Sequence, residues 1–131
     1  MVLPDGARTV LQKPLVVRMA VTDPDGYPHV VPVWFGLDGD DIMLFGFQNT
    51  RKIDYIQADP KGSIQIGGDF GNDGYLLKGN YIIESDPAHK WAKTITYAYE
   101  ASRENADKLL AEWTAKPLFL LRFVVNKVIK V

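Results

Sequence analysis

Residues 29–35 read His29-Val30-Val31-Pro32-Val33-Trp34-Phe35, and the stretch around them, Leu15 to Ile66, decides the fold. Val30, Val31, Val33, Trp34 and Phe35 all favour extended backbone, so the run reads as a strand interrupted by one proline. Upstream, Leu15 to Thr22 gathers Val16, Val17, Met19 and Val21, then stops at Asp23-Pro24-Asp25-Gly26. Those four residues are turn chemistry: proline presets φ at the second place and glycine tolerates a left-handed exit. A hairpin follows, with His29 to Leu37 as its second arm. Asp38-Gly39-Asp40-Asp41 makes another turn, and Ile42-Met43-Leu44-Phe45-Gly46-Phe47 a third strand. Gln48-Asn49-Thr50-Arg51-Lys52 then leads into a short helix over about Arg51 to Ala58, stopped by Asp59-Pro60. Gly62 to Ile66 alternates like a fourth strand. The pattern predicts half of a small antiparallel barrel with a basic elbow.

Two positions inside these strands depart from ordinary strand chemistry. Pro32 cannot donate a ladder hydrogen bond, so it must face an edge, a bulge or a ligand. Gly46 removes a side chain between Phe45 and Phe47, where a strand normally packs one. An edge proline and a packing glycine are the ordinary readings. Together on neighbouring strands, they also admit a flat ligand lying against the backbone.

The elbow carries the electrostatic signal. Asn49 or Thr50 is placed to cap the helix, and Ile53 and Ile56 fall on one inward face. Arg51 and Lys52 then lie in the first turn, where exposed N–H groups already concentrate positive charge. Cations there are mildly unfavourable unless an anion is present. A hydroxyl, a guanidinium, an ammonium and free N–H groups converging on one spot suit a phosphate. The competing reading is a solvated basic pair partnered by Asp54; the strand context favours the phosphate.

Composition fits this picture and removes others. The chain has 131 residues, 47% hydrophobic and 24% charged, which suits one folded domain over residues 1–131. A net charge of −1 gives no electrostatic case for nucleic acid or an anionic membrane. There is no cysteine, which excludes disulfides and thiolate chemistry and suits a reducing compartment. Asp5, Arg8, Lys13 and Arg18 interrupt any signal-peptide core, and no apolar run reaches membrane-spanning length. A cytoplasmic protein is expected.

Elsewhere, Leu3 to Gln12 reads as a leading helix weakened by Gly6, and Tyr75 to Glu84 as a fifth strand with Gly79 at a bulge or bend. Ser85-Asp86-Pro87 reads as the capped start of a helix in which Trp91, Ile95 and Tyr99 make one buried stripe. Ser102 can cap a further helix bearing Leu109, Leu110 and Trp113; Trp91 and Trp113 are expected in the core. Leu118 to Val125 makes a sixth strand, with Lys127 to Val131 as a tail. The sequence carries no nucleophile elbow, no H-E-x-x-H pair and no P-loop. His29 and His89 lie on different elements with no carboxylate at ligand spacing, so no metal site is expected and the catalytic residues stay unassigned. An enzyme of this kind would rely on a cofactor to carry the chemistry.

Met19 to Phe35, followed by Thr50-Arg51-Lys52 and Ala58-Asp59-Pro60, resembles the pyridoxamine 5'-phosphate oxidase-like family of FMN-binding split barrels. The similarity is good from about Leu15 to Ile66 and looser beyond. It implies a mainly β fold, a six-stranded antiparallel Greek-key split barrel with peripheral helices, paired as a homodimer with a cofactor in each of two interface clefts. By position, Arg51 and Lys52 would hold the FMN phosphate with Thr50 beside them. Val31, Pro32, Val33 and Trp34, with Phe45 and Gly46, would line the flavin ring and ribityl chain. The authentic vitamin B6 oxidase has arginine where this chain has Val31, lysine where it has Gly36, and a C-terminal Trp/Arg segment not found here. The expectation is therefore an FMN-dependent oxidoreductase acting on some other small molecule. A deazaflavin-dependent reductase on the same fold is the alternative, and a non-catalytic flavin- or small-ligand-binding protein the third reading. Haem, which would need His29 or His89 as axial ligand, ranks behind both flavins.

Overall fold

The computed structural model describes residues 1–131. It contains four helices, α1 (Asp5–Leu11), α2 (Arg51–Ala58), α3 (Lys90–Tyr99) and α4 (Arg103–Thr114). The strands are β1 (Val17–Thr22), β2 (Pro28–Val33), β3 (Gly36–Asp38), β4 (Asp41–Phe47), β5 (Lys61–Gly67), β6 (Gly74–Glu84) and β7 (Leu118–Lys130). They form one antiparallel seven-stranded sheet in the order β2-β1-β5-β6-β7-β4-β3. The molecule is a mainly β split barrel, as expected, with one strand more than the six expected. The extra strand arises because the His29–Leu37 arm breaks at Trp34-Phe35. Its first half pairs with β1 and its second with β4, at the opposite edge of the sheet.

Turn chemistry sets the hairpins as the sequence predicts. The Asp23 carboxylate accepts from the N–H of Asp25 and of Tyr27, each at 2.9 Å, and Gly26 takes φ +86°. Gly39 sits at φ +63° between Asp38 and Asp41, which pair directly. Gly79 meets the expected irregularity. The β6–β7 register slips between Lys78 and Gly79, leaving Asn126 as the extra residue of a bulge. The bulge also lets β7 run on to Lys130, absorbing the expected tail.

The core contains 21 buried residues, filled from alternate positions of β1, β4, β5, β6 and β7 and plugged by Ile53 and Ile56 of α2 and by α1. Gly6 has a packing reason to interrupt α1, because a Cβ there would come 2.3 Å from the Tyr75 hydroxyl oxygen. α3 and α4 cover the other side of the sheet. Met43 and Leu120 are buried there while their neighbours Ile42, Leu44 and Leu121 face the main core. β4 is thus apolar on both faces, which explains its unbroken hydrophobic run. Arg122 of β7 ties the neighbouring edge together, with Glu84 at 2.5 Å, Asp41 at 2.9 Å and Asp38 at 3.0 Å.

α3 begins at Lys90, not at Pro87. His89 takes the left-handed conformation, φ +54°, and so separates the proline from the helix. Asp86 still caps it, accepting from the N–H of Lys90 at 3.0 Å and of Trp91 at 2.9 Å. Ser102 caps α4 as expected, accepting from Asn105 N–H at 3.2 Å. No helix is long and apolar enough to cross a membrane.

The bulge supplies a stability test. A Cβ at Gly79 would lie 2.0 Å from the Val124 carbonyl oxygen, which belongs to rigid backbone, whereas a Cβ at Gly39 would meet nothing within 4 Å. Gly79→Ala should cost about 3 kcal/mol, the upper end for overpacking. Gly39→Ala should cost about 1 kcal/mol, from its left-handed backbone alone. Urea unfolding of both variants checks the order; equal losses would show that the bulge imposes no special constraint.

Candidate functional site

β2 and β3 lie at opposite edges of the sheet, yet only Trp34 and Phe35 separate them. That short link spans the split, and a cleft of about 440 Å³ opens beside it. Pro32, Val33 and Trp34 form one wall, and Phe45, Gly46 and Phe47 of β4 the facing one. Thr50 and Lys52 close the end at α2, and Leu109 and Trp113 of α4 with Leu118 of β7 complete the lining. Seven of the nine positions expected from the sequence therefore meet at one place. Val31 does not: its half-buried side chain packs against the barrel core, opposite Met19. Arg51 is exposed at the start of α2 and is not part of the lining.

The aromatic side of the cleft is braced from behind. Tyr99 stacks on Trp34 at 4.9 Å with an interplanar angle of 9°. Its hydroxyl donates to the Leu15 carbonyl at 2.5 Å and accepts from Phe35 N–H at 3.3 Å. Burial pushes the Tyr99 hydroxyl up to about 12, so it remains a donor at neutral pH. Trp113 meets Trp34 edge-on at 6.1 Å and Phe45 at 5.9 Å. Trp113 and Trp91, expected in the core, are each only half-buried. For Trp113 the reason is topological: α4 packs on the outer face of the sheet, beside the split, so its apolar stripe borders the cleft. Trp91 of α3 lines a separate depression, beyond Tyr99. The i,i+4 spacing of Leu109 and Trp113 is visible in the sequence, but nothing local distinguishes a stripe facing a core from one facing a cleft.

Gly46 lines the cleft and also has a packing reason. A Cβ there would stand 2.9 Å from Cζ of Phe119, its cross-strand partner, so the missing side chain makes room for that ring. Pro32 likewise sits on β2, an edge strand, where a residue without N–H is tolerated.

The end at α2 is electrostatically unfinished. Thr50 occupies the N-cap, but its hydroxyl donates 3.0 Å to the Phe47 carbonyl, and α2 has no side-chain cap. The first N–H groups of the helix are left for another acceptor. Lys52 is half-buried in the same place, its ammonium 5.9 Å from the centre of the Phe119 ring, with no carboxylate within ion-pair distance. Burial lowers its pKa. An uncapped helix start thus lies beside an unpaired, partly desolvated cation, a combination that suits an anion. A second depression, of about 520 Å³, lies beyond Tyr99 between α3 and the chain around Lys13. It has neither feature.

His29, one of the two histidines considered as an axial ligand, rests edge-on against Tyr55 at 5.6 Å.

A sequence model of the family described as pyridoxamine 5'-phosphate oxidase matches residues 3–125. No curated protein matches the sequence. Among solved structures, one described as an F420 reductase superposes with a TM-score of 0.76 at 21% identity, covering 97% of this chain and 98% of that one. A conserved hypothetical protein from Mycobacterium tuberculosis gives 0.78 at 18% identity, covering 99% of this chain and 85% of the other. A FAD-binding protein from Mesorhizobium loti gives 0.64 at 24% identity, covering 93% and 87%. At these identities the likeness establishes the fold alone.

The unpaired Lys52 has a measurable consequence. Its lowered folded pKa means the unfolded chain holds the proton more tightly, so its charge destabilises the unliganded protein at neutral pH. That penalty is relieved as pH rises through the lowered value towards 10.5. Lys52→Met should therefore raise the thermal midpoint at neutral pH, and the gain should shrink as pH approaches 10.5. A variant less stable than the parent at neutral pH would show that the ammonium already has a partner.

Proposed function

Because the chain belongs to the pyridoxamine 5'-phosphate oxidase family, we propose that it binds FMN in the cleft beside Trp34 and acts as an oxidoreductase on a small molecule. The observation that carries this reading is Lys52, an unpaired half-buried cation beside the uncapped start of α2. The phosphate of FMN supplies the missing anion: Lys52 and the first N–H groups of α2 hold it, the Thr50 hydroxyl lies beside it, and Arg51 closes over it from the surface. Pro32, Val33 and Trp34 on one side and Phe45 and Gly46 on the other accept the ring and ribityl chain. Val31 supports that strand from the core side. When bound, the flavin supplies hydride or electron transfer. The chain's own residues bind and orient it, and the apolar side chains of Trp34 and Phe45 keep water from its ring.

The same reading makes the protein a cytoplasmic homodimer, with residues 1–131 as one cofactor-binding domain. Support comes from the single continuous core and from Val30, 54% exposed beside Pro32 at the edge of the cleft. An open cleft bordered by exposed apolar strand is what a second chain would cover. A deazaflavin coenzyme is the second reading, favoured by the near-complete overlap with the F420 reductase structure.

Vitamin B6 phosphate oxidation is disfavoured. The arginine and lysine of the authentic oxidase are Val31 and Gly36 here. Val31 packs against the core, and a Cβ at Gly36 would come within 3.1 Å of the Trp91 ring.

Titrating FMN and riboflavin, which differ by the phosphate, tests the reading. Each charge-assisted hydrogen bond lost should cost about ten- to a hundredfold in affinity. Arg51→Ala/Lys52→Ala should therefore weaken FMN strongly and riboflavin little. FMN binding should also fall as pH rises through the Lys52 pKa, and Lys52→Arg should abolish that fall. Equal losses for both ligands would point to a damaged helix or dimer; no loss for either would return the pair to solvent. Sedimentation over a dilution series, with FMN affinity followed in parallel, tests whether the site needs two chains. A monomer retaining full affinity would contradict a shared cleft.

A further inference from the structure

We propose that the α4 side of the cleft, where Leu109 and Trp113 face Trp34 and Phe45, takes an uncharged aromatic-ring compound as the co-substrate beside the cofactor. This inference rests on the FMN reading and deepens it. Charge is the first discriminant. Lys52 is the only ionisable side chain lining the cleft; the other polar groups there are the Thr50 hydroxyl and the uncharged indole N–H donors of Trp34 and Trp113. The cofactor phosphate occupies Lys52 and Thr50. No second cation then remains for a phosphate, sulfonate or carboxylate on the substrate, and the nearest charge is the cofactor's own anion. No carboxylate lines the cleft to receive a cationic substrate either. An ionised group buried there without a partner costs far more than the ring burial returns.

Shape leads to the same class. Trp34 and Trp113 stand edge to face, at 65°, and Phe45 meets Trp113 at 51°, so the wall is a set of fixed aromatic surfaces. Trp34 cannot turn away, because Tyr99 covers its other face at 4.9 Å and is itself held by two hydrogen bonds. Leu109, one turn before Trp113 on α4, adds an aliphatic surface with no hydrogen-bonding group. A rigid aromatic and aliphatic wall selects flat apolar rings by contact area and excludes heavily hydrated molecules.

The test uses the full-length protein, with and without saturating FMN, and three probes sharing one ring: 2-naphthol, naphthalene-2-sulfonate and 2-naphthylmethylammonium. Equilibrium dialysis reads their affinities. On FMN-saturated protein, 2-naphthol should bind at least about tenfold more tightly than either ion, given the cost of burying an unpaired charge. Without FMN, the margin over the sulfonate should narrow, because Lys52 is then free to pair with it. Trp113→Ala should weaken 2-naphthol by about tenfold, the scale of a lost aromatic contact, while Trp113→Phe keeps most of the binding. Far-UV circular dichroism and a thermal midpoint matching the parent establish that both variants are folded. Protein that takes up no FMN overturns the cofactor reading and this proposal with it. FMN-loaded protein that binds an ionic probe as tightly as 2-naphthol, or that ignores Trp113→Ala, overturns this proposal alone.

Discussion

Two residues, Trp34 and Phe35, must carry the chain from one edge of the sheet to the other, and the site depends on that constraint. A sheet ordered β2-β1-β5-β6-β7-β4-β3 has consecutive elements at its two margins. The link between them can be this short only if the sheet curls until its edges nearly meet. They do not meet fully, because β2 pairs with β1 alone and β3 with β4 alone. The gap left between β2 and β4 is the cleft. Tyr99 holds the link in place by stacking on Trp34 and by bonding to Leu15 and Phe35.

The cation at the gap runs against stability. A helix start repels positive charge, burial lowers the pKa of Lys52, and no acid answers it. An unliganded protein would be better served by an apolar side chain there. Groups held at such a cost are common where a ligand completes the electrostatics. Arg122 makes the contrast. That residue is also partly buried and cationic, but Asp38, Asp41 and Glu84 surround it, and it needs nothing from outside.

Most of the fold is legible in the sequence because its signals are local. The turns at Asp23–Gly26 and Asp38–Asp41, the α2 boundaries and the Gly79 irregularity each follow from a few adjacent residues. The break at Trp34-Phe35 is not legible, since both residues favour extended backbone and only non-local pairing separates β2 from β3. Nor is the start of α3: Pro87 suits a first helical turn, while the left-handed His89 that delays the helix has no sequence mark. At the site, the basic elbow can be read from charge and spacing. The contribution of α4 cannot, because which face of the sheet a helix covers is settled by topology. At Gly46 the structure adds a cause that the sequence does not mark, since the missing side chain makes room for the Phe119 ring as well as lining the cleft.

The central claim is that the gap in the barrel holds a phosphate-bearing flavin against Lys52 and the start of α2. The most direct measurement is the absorption spectrum of the purified protein, joined to the mass of whatever small molecule it releases on denaturation. Flavin absorption bands and a released mass equal to that of FMN, near one per chain, are the predicted result. A protein that releases riboflavin or haem, or that stays colourless and takes up neither FMN nor a deazaflavin coenzyme when offered both, would contradict it.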